Sequence, residues 1–189
     1  LPECNLRSLL TLANRAAETE DQTETRASFE ASLAPAGPGV ARFTGYIECG
    51  DQARKAFAGN EKKPAPYVLM FFDLLSPKNV RVVDGVTYCD RMVIRLNKLL
   101  DGKAGFKRLF NTMVRGREAI KHMAQMLNEP FCVNVVHSKS KDGTKTYANL
   151  RDENGTWFIN APVVTDALAG TQQDISNMIP PTINPVKIF

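Results

Sequence analysis

Between residues 40 and 160 the hydrophobic period changes twice, from two to about 3.6 and back, and this narrows the folds open to the chain. From Val40 to Cys49 the side chains alternate, with Ala41, Phe43, Gly45, Ile47 and Cys49 expected to face a core and Arg42, Thr44, Tyr46 and Glu48 to face out. Tyr67 to Leu75 is apolar on nearly both sides, as in a central or covered strand. A turn at Pro77-Lys78-Asn79 and a hairpin-like piece with Asp84-Gly85 lead into a third strand, Thr87 to Asn97, where Arg91 and Arg95 project together. The period then becomes helical: Phe106, Leu109, Phe110, Met113 and Val114 form one stripe, and Ala119, Ile120, Met123, Ala124 and Leu127 another, as two short helices or one bent one. After Pro130 the period of two returns in Cys132 to Arg151, around a turn at Asp142-Gly143, and a last short strand covers Trp157 to Ile159.

The order strand, strand, strand, helix, strand, strand does not suit a parallel α/β fold, which places a helix after nearly every strand. It suits a mainly β domain: a five-stranded Greek-key barrel of the oligonucleotide-binding type, with its helical insertion between strands three and four. That domain is expected over residues 39–165. Residues 1–38 read as an N-terminal helix, from about Glu3 to Glu18, followed by an acidic linker, and residues 166–189 as a loop-like C-terminal extension.

Charge is distributed unevenly along this plan. Residues 1–38 hold three basic and six acidic side chains, residues 39–151 twenty and ten, and residues 152–189 one and four. A concentrated basic field attracts polyanions. The lysines gather in two segments, 52–64 and 138–145, where the barrel plan puts the loops that flank its binding face. Lys55, Lys62, Lys63, Lys139, Lys141 and Lys145 are therefore candidate phosphate contacts. Arg42, Arg91, Arg95 and Arg151 are candidates to line the groove, and Tyr46 and Tyr147 to stack bases. Trp157, beside Phe158, reads as core.

Chemistry-bearing motifs are sparse. Cys4, Cys49, Cys89 and Cys132 lie far apart and read as small buried thiols. His122 and His137 lie in no ligand cluster; His122 reads as structural, and His137 as facing phosphate or solvent. Gly102-Lys103-Ala104-Gly105 lacks the spacing of a phosphate loop, and Asp73, Asp84 and Asp90 read as a strand interruption and turn residues rather than a nuclease metal site. The chain is expected to have no catalytic activity, metal or cofactor. No apolar run approaches the ~18 residues of a membrane span, and the first thirty residues carry no signal-peptide pattern, so no membrane association and a cytoplasmic location are expected.

The segment HSKSKDGTKTYANLRDENGTWFINAPVV, the preceding KHMAQMLNEPFCVNVV, and the early LPECNLRSLLTLANRA and RASFEASLAPAGPGVARF resemble single-stranded DNA-binding proteins of tailed bacteriophages. The resemblance implies an oligonucleotide-binding fold, single-stranded DNA as partner, and protection of single strands in phage replication or recombination in the host cytoplasm. A phage recombinase or polymerase and a second copy of the chain are the further partners it suggests. It supplies no map of site residues. Many such proteins end in an acidic tail, whereas this chain stops at Pro185-Val186-Lys187-Ile188-Phe189 and begins without methionine, which reads as trimmed termini. Two rival readings are a virion or assembly protein with a basic interaction surface, and a nuclease or nuclease regulator.

Overall fold

The alternating runs fold as strands, and the first two extend well past their expected limits. The computed structural model describes residues 33–57, 59–115, 117, 119–165, 171–181 and 187–188, so the helix and acidic linker expected in the first 32 residues lie outside the described residues. Along the chain follow β1 (Gly37–Phe57), β2 (Asn60–Leu74), β3 (Val80–Val83), β4 (Val86–Cys89), β5 (Arg91–Asn97), helix α1 (Gly105–Val114), β6 (Pro130–Lys139), β7 (Thr146–Asn149), β8 (Ile159–Asn160), β9 (Val163–Thr165), β10 (Gln172–Asp174) and β11 (Lys187–Ile188). The main sheet is ordered β5-β2-β1-β6-β7, with every neighbouring pair antiparallel. β8 adds to β6, and β11 pairs in parallel with β1 at Gly45 and Tyr46, so the C-terminal segment joins the sheet. β3 and β4 form a separate hairpin through Asp84-Gly85; both residues have positive φ, which a tight two-residue turn requires.

One face of the sheet carries the core. Ala41, Phe43 and Tyr46 of β1, Val68, Met70, Phe72 and Leu74 of β2, Ile94 of β5, and Phe131, Val133 and Val135 of β6 cluster with Phe106, Leu109 and Met113 of α1. Phe43 stacks on Phe72 at 5.0 Å between centroids, and Phe72 meets Phe131 edge-on at 6.2 Å. Full burial of each such ring contributes roughly 1.5–3 kcal/mol. The second helical stripe forms no α-helix. Met123 and Met126, three residues apart, are instead buried by a single 3-10 turn over Met123–Met126, whose entry is capped by the His122 ring accepting from the Ala124 N–H. The cap gives His122 the structural role expected of it, from an exposed position.

Three expectations need correction. The alternation in β1 slips by one residue, because a bulge separates the pairs Phe43↔Phe72 and Gly45↔Phe71. Thr44 is the extra residue; beyond it Tyr46 and Glu48 take the core side, while Gly45 and Ile47 take the other. Gly45 is required there, since a Cβ would lie 2.8 Å from the Phe71 ring. Next, the strand expected over 87–97 is broken at Asp90, whose carboxylate accepts from Asn79 and Arg81. Last, the barrel is not closed. Among the described residues β5 and β7 share no ladder, and Met92–Leu96 and Ala148–Arg151 line an opening of about 180 Å³ between them. Among the described residues no helix is long and apolar enough to cross a membrane.

Candidate nucleic-acid interface

The lysine-rich segment 52–64, expected as a loop, is a two-stranded arm in which β1 and β2 continue their pairing through Gln52↔Ala65, Arg54↔Lys62 and Phe57↔Asn60. Its polar alternation, bounded by Pro64, is compatible with an exposed ribbon. Arg54 and Lys62 therefore stand directly opposite each other in the ladder. At the root of the arm lies a cleft of about 480 Å³ lined by Gln52, Ala53, Arg54, Lys55, Lys62, Tyr67 and Asn97; among the described residues no carboxylate lines it. Lys63 is exposed on the same strand.

Tyr67 begins a row on the sheet face opposite the core. Tyr67 pairs with Asn97; Leu69 lies between Ile47 and Arg95; Phe71 lies between Gly45 and Val93. These side chains are half-buried, and Arg95 is exposed. A half-buried aromatic and aliphatic strip beside cations can hold bases on its rings and phosphates on its flanks. Arg54, Tyr67 and Asn97 were not among the candidates read from sequence. Tyr67 was hidden in a run apolar on both sides, and its tip position beside Pro64-Ala65-Pro66 was the available signal.

The hairpin of β6 and β7 forms the second basic group; of the row Lys145, Tyr147, Asn149 and Arg151 expected to face out, Lys145, Tyr147 and Arg151 are exposed, whereas Asn149 is half-buried and donates to the Ser138 hydroxyl, and Thr146 is exposed as well. Its turn is tied internally. Asp142 accepts from the Ser140 hydroxyl and the Thr144 N–H, which holds its carboxyl below the usual range, and the Ser140 hydroxyl accepts from the Lys145 N–H. Lys139 and Lys141 are exposed beside this turn. Arg151 stacks over Trp157 at 5.2 Å, and it lines both the opening shared with Arg95 and a cleft holding Asp152 and Glu153. Trp157 is buried as expected, its Nε1–H donating to the Gly105 carbonyl.

Three candidates are engaged elsewhere. Tyr46 is 3 % exposed and its hydroxyl donates to Glu48, so it stacks no base; the bulge at Thr44 turned it inward. Burial, then Glu48, raises its pKa. Arg42 donates to the carbonyls of Asn128, Ile179 and Pro180 at 2.6, 3.0 and 2.6 Å, fastening the C-terminal segment. Arg91 makes a two-pronged contact of 2.6 and 3.1 Å with Asp73, a carboxylate with no solvent exposure. His137 is exposed to solvent, one of the two surroundings expected of it, and its Nε2 donates to the Ala34 carbonyl. Burial, then Asp73, pushes the Cys89 thiol up to about 11, and burial raises that of Cys132, so both stay protonated at neutral pH. Cys4 lies outside the described residues. Among the described residues no three His, Cys, Asp or Glu side chains converge as metal ligands. Comparisons with protein-family models, curated proteins and solved structures return no match.

Proposed function

We propose that this chain binds single-stranded DNA without strong sequence preference, and acts by binding rather than catalysis. The observation that carries the proposal is a cleft that brings Arg54, Lys55 and Lys62 together with the Tyr67 ring. Phosphates are drawn to such a group of cations, and a ring in the same cleft accepts a base. The strand order supports an oligonucleotide-binding architecture opened between β5 and β7, with the arm and the β6–β7 turn as the two loops beside the ligand. The binding surface then comprises Arg54, Lys55, Lys62, Lys63, Tyr67, Arg95 and Asn97, with Lys139, Lys141, Lys145, Tyr147 and Arg151 at its far side. With the resemblance to phage single-strand binders, this surface supports a role in phage DNA replication or recombination.

Fluorescence anisotropy of a labelled oligonucleotide at increasing salt tests the proposal. Log affinity is expected to fall linearly with log salt, by about 0.7 per phosphate contact, and single strands to bind more tightly than duplex. No binding at moderate salt, or affinity independent of salt, overturns it.

A further inference from the structure

The seam where the sheet fails to close carries one arginine on each bank. Ile94 and Leu150 belong to the core, and side chains alternate along a strand, so their neighbours Arg95 and Arg151 stand on the outer face. Both are exposed, and both line the opening of about 180 Å³ between β5 and β7. Arg42, Arg81, Arg91 and Arg117 each donate to an oxygen of this chain. Among the described residues Arg95 donates to none, and Arg151 only covers the Trp157 ring, 5.2 Å from its centroid. Asp152 and Glu153 line the next cleft with Arg151, yet among the described residues neither forms an ion pair with it, and Asp152 accepts from the Thr156 N–H.

We infer that one phosphate of a bound single strand is held by Arg95 and Arg151 together, so that the ligand bridges the seam that no ladder closes. The inference rests on the reading of this chain as a single-strand binder and adds to it the path of the strand: from the arm cleft and Tyr67, across β5 at Arg95, to the β6–β7 hairpin at Arg151. A guanidinium presents its donors as a rigid planar fork that matches phosphate oxygens, and a phosphate has oxygens enough for two forks. Both arginines line one small opening, so a single group seated there is within reach of each. A base finds no place at the same spot, because the Trp157 ring is 8 % exposed and already covered by Arg151. Leu96 and Trp157 in the lining keep water from part of the contact, which strengthens the attraction between opposite charges.

Salt titrations of oligonucleotide binding, read by fluorescence anisotropy with the full chain, test this. Arg95→Gln with Arg151→Gln is expected to bind about tenfold more weakly, with a slope of log affinity against log salt shallower by about 0.7, the value for one phosphate. Each substitution alone is expected to change the slope by less, because the remaining arginine still neutralises the same phosphate. Arg95→Lys with Arg151→Lys keeps both charges and is expected to keep the parent's slope, and all variants are expected to melt with the parent. A slope shallower by about 1.4 in the glutamine pair assigns the arginines to two separate phosphates, and an unchanged slope removes both from the ligand. Either result overturns the inference and leaves single-strand binding standing. Equal loss of slope in the lysine pair marks a structural cause and overturns it as well. Absence of binding by the parent chain, seen before any substitution, overturns the reading beneath and the inference with it.

Discussion

The two ends of the β1–β2–β5 ladder use the same kind of residue for opposite purposes. At the end holding Arg42, Asp73 and Arg91, each guanidinium is committed to oxygens of this chain: Arg42 to three carbonyls, Arg91 to Asp73. At the other end, where β1 and β2 run out as the arm, Arg54 faces Lys62 and the cleft beside them opens to solvent. A cation closed on a buried internal acceptor stabilises the fold and has little left for a ligand. Cations gathered around an open cleft that no acid lines among the described residues are placed to meet a polyanion instead. The electrostatic environment of a basic residue, more than its presence, separates scaffold from interface.

Arg91→Ala is the most severe test of this contrast. It strips two hydrogen bonds and the guanidinium from a fully buried carboxylate, and is expected to destabilise the chain by about 3 kcal/mol, the lower end for breaking a buried pair, because Arg91 itself touches solvent. Chemical denaturation reads the loss, while the salt slope of DNA binding is expected to remain that of the parent. Reversal of charge at the arm, Arg54→Glu with Lys62→Glu, should do the opposite: an unchanged melt, with DNA affinity lower by on the order of a hundredfold and a salt slope shallower by about 0.7 for each phosphate no longer held. If Arg91→Ala alters the slope, or the arm variant melts early, the two ends are not distinct.

Tyr67→Ala resolves the ligand end further. Removal of one stacked base is expected to cost about 1–3 kcal/mol of binding, with Tyr67→Phe close to the parent, because the ring face rather than the hydroxyl meets the base. Anisotropy with a short oligonucleotide separates these outcomes; equal weakening in both variants would assign the hydroxyl instead.

The mildest effect lies between the two ends, at Glu48. Lys98, then Tyr46, holds its carboxyl below the usual value of about 4.5. A depressed folded-state pKa contributes stability that is present above the unfolded value and lost as pH falls through the folded one. The melting temperature should therefore fall by a small increment as pH drops below about 4.5, and Glu48→Gln should remove that increment, as melts at pH 7 and in mild acid would show.

Much of the scaffold was legible because it rests on local chemistry. Asp142-Gly143 fixes one turn, Asp84-Gly85 another, and the alternation of Lys145, Tyr147 and Arg151 gave the correct face of the return strand. What was illegible depends on partners distant in the chain. Arg42 bonds to carbonyls more than eighty residues away, and nothing local marks it as engaged. The arm reads as a loop because exposed ribbons and loops share the same polar composition. Tyr67 is concealed because a strand apolar on both sides does not reveal which face is left uncovered.

The bulge at Thr44 also governs how β1 tolerates change. Alternation along a strand is a two-state code, and one supernumerary residue inverts its phase for everything downstream. Replacing Thr44 with another side chain leaves the phase intact, so Tyr46 stays beside Phe43, 6.4 Å from its ring. Deleting it closes the bulge and leaves Phe43, Gly45, Tyr46 and Ile47 opposite the consecutive residues Phe72, Phe71, Met70 and Leu69, so Tyr46 keeps the core side. The faces of β1 are thus fixed by its partners on β2 rather than by counting along its own sequence, and the bulge is the place where the strand can lose a residue without exchanging its faces.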